Sequence, residues 1–73
     1  MTTKTIPTAV DIQAELRLLY AERAVAELEG LASNASYMSH LLDDIHAHKS
    51  ALVKAAVGEI ATLRAELSEP LQG

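Results

Sequence analysis

Cysteine is absent from the 73 residues. That excludes a disulfide and a thiolate metal site. Phenylalanine and tryptophan are absent too, and the aromatic content is two tyrosines. A core must therefore come from aliphatic side chains. Glycine occurs three times and proline twice, so the backbone has few points at which to turn or break. Basic residues are outnumbered six to ten, for a formal net charge of -4. A general nucleic-acid binder needs a basic face to neutralise phosphates, so nucleic acid is a disfavoured partner. No run approaches the roughly 18 apolar residues of a membrane span. The start, "MTTKTIPTAV", has one basic residue and no apolar stretch of secretory length. The expectation is a soluble, cytoplasmic protein without a membrane partner.

What the chain does have is alanine and leucine, the head of the helix-propensity scale. Thr8 is a good N-cap, and Asp11 three residues on completes a short capping box. A first helix is expected over residues 8–30, after an extended lead-in at 1–7. Gly30 is placed to close it in the left-handed conformation. The turn "LASNAS" at 31–36 offers Ser33, Asn34 and Ser36 as caps for a second helix. That helix is expected over 37–69, ending at Glu69 because Pro70 disfavours helix before it, with a tail at 70–73. Gly58 inside it costs about 1 kcal/mol relative to alanine. The fold class is all-α: one helical domain over 1–73, an antiparallel two-helix hairpin. One long bent helix is the alternative.

The first helix has two apolar stripes. Ile12, Leu16, Leu19 and Tyr20 form one. Ala14, Leu18, Ala21, Val25 and Leu28 form the other, at the spacing of a packed seam. An acidic line of Asp11, Glu15, Glu22 and Glu29 runs between them, and Arg17, Arg23 and Glu27 fill the other side. The second helix has one broad stripe built from Met38, Leu41, Leu42, Ile45, Leu52, Ala56, Ile60, Leu63 and Leu67. Its spacing slips near the middle, as in a locally less supercoiled pair. Lys49 lies inside this stripe. Its stem is expected to pack while the ammonium reaches water; a cross-helix pair with Glu15 is the sharper possibility.

A hairpin covers one stripe of the first helix and leaves the other unpartnered. Exposed apolar patches mark interfaces, and a chain this short usually needs a partner subunit, metal or disulfide for stability. The expected partners are a second copy, giving a homodimer in an antiparallel four-helix bundle of two hairpins, and an unidentified protein. Candidate interface residues are Ile12, Leu16 and Leu19 on one stripe and Leu18, Val25 and Leu28 on the other. The second helix adds Leu41, Ile45, Leu52, Ile60 and Leu63.

The segment "SHLLDDIHAHK" holds every histidine of the chain and two adjacent aspartates. His40, Asp44 and His48 share a helix face at i, i+4, i+8, a conceivable three-ligand surface site. Asp43 and His46 have the i, i+3 spacing of di-metal bundles, but Asp43 points away from the apolar stripe. The segment is therefore expected to be a solvated polar face, with no metal and no cofactor. No nucleophile is paired with an oriented base, so no enzyme is expected. The functional expectation is a small regulator, inhibitor or adaptor acting by protein contact. A structural assembly module is the alternative, and a helical dimer binding nucleic acid is a weaker one.

Overall fold

The computed structural model describes residues 7–68. They form helix α1 over Ala9–Leu28, a single 3-10 turn over Leu31–Ser33, and helix α2 over Ala35–Ser68. The described residues contain no strand. The two helices pack as a hairpin, and the single bent helix is excluded. The proposed lead-in before Pro7, the end at Glu69 and the tail at 70–73 lie outside the described residues.

Thr8 caps α1 as its sequence suggests. Its hydroxyl accepts from the Asp11 N–H at 3.2 Å, and Asp11 returns the bond by accepting from the Thr8 N–H at 3.2 Å. α1 stops at Leu28, two residues short of the expected end, because the chain already leaves helical geometry at Glu29 and turns at Gly30. Gly30 has φ 80° and ψ 8°, the left-handed region that glycine enters without a Cβ penalty. α2 starts two residues earlier than expected. Of the three possible caps, Asn34 is used: its Oδ1 accepts from the Tyr37 N–H at 3.0 Å. Ser36 is thereby absorbed into the helix.

The lengths are unequal, 20 residues against 34, or roughly 30 Å against 51 Å at about 1.5 Å per residue. Near the free end of the hairpin, the Ala9 N–H donates to Glu59 Oε2 at 2.6 Å. This carboxylate satisfies one of the orphan donors at the α1 N-terminus and sits at the positive end of its dipole. Residues 60–68 of α2 therefore run on past the start of α1 by roughly 13 Å.

Among the described residues, only Ile12, Leu16, Ala26, Leu41 and Ile45 are buried. Leu16, Leu41 and Ile45 form the central cluster, with Leu19, Tyr37, Met38 and Leu52 packed against it. The face of α1 turned to α2 is thus the Ile12–Leu16–Leu19 stripe. Ala26 is the most enclosed of the five, at 2% exposure.

Candidate interaction surface

Two rows of apolar side chains remain in water. The first is the other stripe of α1. Leu18 is 71% exposed and Leu28 88%, with Val10 and Val25 also exposed. At about 100° per residue this row lies some 160° around α1 from Ile12 and Leu16. It points away from α2. The second row is on α2: Leu42, Val53, Val57 and Ile60 are all exposed. It lies about a quarter-turn from the Leu41–Ile45–Leu52 face that meets α1. Leu63 and Leu67 are exposed as well, because they fall on the overhang, where α1 offers nothing to pack against.

The candidate contact residues thus separate. Ile12, Leu16, Leu41 and Ile45 are buried within the hairpin, and Leu19 and Leu52 are half-buried beside them. Leu18, Val25, Leu28, Ile60 and Leu63 stand in water. Near the overhang, Pro7, Ala55, Gly58, Glu59, Thr62 and Leu63 line an open recess of about 640 Å³. Gly58 contributes by having no side chain there.

The polar groups facing both helices are used as clasps. Glu22 Oε2 accepts from the Tyr37 hydroxyl at 2.5 Å. That bond, with a smaller contribution from desolvation and from the carboxylate charge, raises the Tyr37 pKa above its ordinary value. Glu15 Oε2 lies 3.0 Å from His48 Nε2. His48 Nδ1 lies 2.8 Å from the Asp44 carbonyl. A carbonyl and a carboxylate are both acceptors, so only the doubly protonated ring donates to both at once. The His48 pKa is accordingly raised, first by the Asp44 carbonyl and then by Glu15, against an opposing desolvation effect.

Glu15 therefore pairs with His48 and not with Lys49. The Lys49 ammonium lies 5.9 Å from the centre of the Tyr20 ring, within cation–π range. His40, Asp43, Asp44 and His46 are exposed. Among the described residues, no three His, Asp or Glu side chains gather in a group suited to a metal ion.

The His48 geometry gives a directional pH effect. A group whose pKa is raised by folding stabilises the fold below its unfolded value, near 6.5, and that contribution disappears as pH rises through the folded value. An NMR titration should place the His48 midpoint above the ordinary histidine value near 6.5. Glu15→Gln should move it down. A His48 midpoint unchanged by Glu15→Gln would mean the clasp does not form in solution.

A scan against protein-family models gives no match, and neither do comparisons with curated proteins and with solved structures. The surface itself is the source of the functional reading. No helix among the described residues is long and apolar enough to cross a membrane.

Proposed function

We propose that this chain is a small non-enzymatic protein that works by protein–protein contact in the cytoplasm, as a regulator, inhibitor or adaptor. One observation carries the reading: the hairpin leaves two apolar rows in water, on different sides, and its own packing uses neither. Exposed apolar surface of this kind is typical of binding faces. Two separate rows allow one to meet a second copy while the other meets a larger partner. The absence of cysteine is in keeping with a reducing compartment. Against catalysis, the titratable groups that meet across the helices (Glu15 with His48, Glu22 with Tyr37) are occupied in holding the helices together.

The test uses one charged substitution in each row, Leu18→Glu and Val57→Glu. Both sites are exposed, so both variants should keep the wild-type helical circular dichroism. Affinity capture followed by mass spectrometry should then show one variant losing a protein that the wild type retains. Identical captured sets from the wild type and both variants would reject contact through these rows.

A further inference from the structure

The exposed row on α1 has the alternation of a coiled-coil seam. Ala14, Leu18, Ala21, Val25 and Leu28 are spaced four, three, four, three. In heptad terms, Leu18 and Val25 take the a positions, and Ala14, Ala21 and Leu28 the d positions. The residues following d, which border the seam on one side, are Glu15, Glu22 and Glu29. Those preceding a, on the other side, are Arg17 and Ala24. One border is wholly acidic and the other carries a cation.

This asymmetry discriminates between the two ways a two-fold axis can set a second copy on the row. With the axis across the helices, the copies run antiparallel and each border meets its own equivalent. The acidic border of one copy would abut that of the other with no cation beside it beyond the His48 already held by Glu15, and like charges side by side repel. With the axis along the helices, the copies run parallel and each border meets the opposite one. Arg17 at a g position then faces Glu22 at the following e position of the second copy, and symmetry makes the pair twice. Glu22 is already steadied from behind by the Tyr37 hydroxyl on its Oε2. The alanines at two d positions let the backbones approach closely. Because α2 packs on the far side of α1, the second copy does not compete with the hairpin's own core.

We propose that the outer face of α1 is a self-association seam on which two copies pair in parallel, with Arg17 of each copy against Glu22 of the other. The proposal rests on reading the exposed rows as contact surfaces, and it assigns the α1 row to a second copy.

The absence of cysteine gives a direct test of both partner and direction. In the parallel arrangement Leu28 lies beside Leu28 of the second copy, within the roughly 7 Å Cα separation a disulfide tolerates. In an antiparallel pairing centred on the seam, at Ala21, Leu28 would lie opposite Ala14 and the two Leu28 positions would be about 21 Å apart. Full-length Leu28→Cys, oxidised at low micromolar concentration, should run as a disulfide-linked dimer on a non-reducing gel. Val57→Cys, also exposed but on the other row, should stay unlinked. Sedimentation should show a wild-type dimer, a folded monomer for Leu18→Glu, and several-fold weaker dimerisation for Arg17→Glu. A wild-type monomer overturns self-pairing and leaves the α1 row open to a different protein. A mixed disulfide between Ala14→Cys and Leu28→Cys chains, without Leu28–Leu28 linkage, overturns the parallel direction. A dimer that survives Leu18→Glu but is lost with Val57→Glu overturns the assignment while sparing the contact-surface reading. A dimer that survives both, with captured proteins also unchanged, overturns both.

Discussion

Leu41→Ala should remove most of the hairpin's stability. Leu41 is 3% exposed and sits in the cluster with Leu16 and Ile45. Truncating a buried leucine costs about 2–5 kcal/mol, since the transfer free energy is lost and a cavity is left. A chain of 73 residues has a total stability of roughly 4–11 kcal/mol at typical values per residue. The melting temperature should therefore fall by roughly 10–40 °C, read by far-ultraviolet circular dichroism. Leu67→Ala removes the same atoms from a side chain that is 85% exposed, and it should move the midpoint by no more than a few degrees. Equal effects at the two sites would mean that the Leu16–Leu41–Ile45 cluster is not the core in solution.

The two described glycines should respond to alanine with opposite signs. At neither would the added Cβ meet another atom within 4 Å, so packing does not distinguish them. Backbone conformation does. Gly30 has φ +80°, where an L-residue costs roughly 1–2 kcal/mol. Gly58 lies inside α2, where alanine is better by about 1 kcal/mol. In urea denaturation, Gly30→Ala should lower the midpoint and Gly58→Ala should raise it. A rise for Gly30→Ala would show that the left-handed turn between the helices is not adopted.

Local chemistry was the most legible part of the sequence. Thr8 with Asp11 marks the start of α1, and Gly30 marks its close, because caps depend on residues a few positions apart. The second helix start was ambiguous by two residues, since Ser33, Asn34 and Ser36 offer the same kind of acceptor. Only the turn geometry selects Asn34. Which stripe of α1 faces α2 was not legible, because both are apolar at helical spacing. Ala26 went unnoticed for a related reason: an alanine carries little hydrophobic signal, yet its small side chain suits a close helix approach. The Glu15–His48 clasp was also missed. A wheel for α2 alone places Lys49 in the stripe and His48 on its flank, but the partner of each depends on how the helices align. That alignment brings the flank to Glu15 and the Lys49 ammonium to Tyr20. The exposure of Ile60, Leu63 and Leu67 follows from unequal lengths, which the sequence did show.

The cross-helix clasps are graded in sequence separation. Tyr37 and Glu22 are 15 residues apart, His48 and Glu15 are 33 apart, and Glu59 and Ala9 are 50 apart. Closing a loop costs chain entropy that grows with its length. Once the clasp nearest the turn has formed, the next one closes over a chain whose ends are already drawn together. Loop-closure entropy alone therefore favours assembly from Gly30 outward, each contact shortening the loop that the next must close. The helical turns themselves supply the local contacts that characterise fast-folding chains, whereas these clasps join residues far apart in sequence. The same entropy favours opening at the other end: the end held by Glu59 on the Ala9 amide is expected to lose amide hydrogen-exchange protection before the turn end.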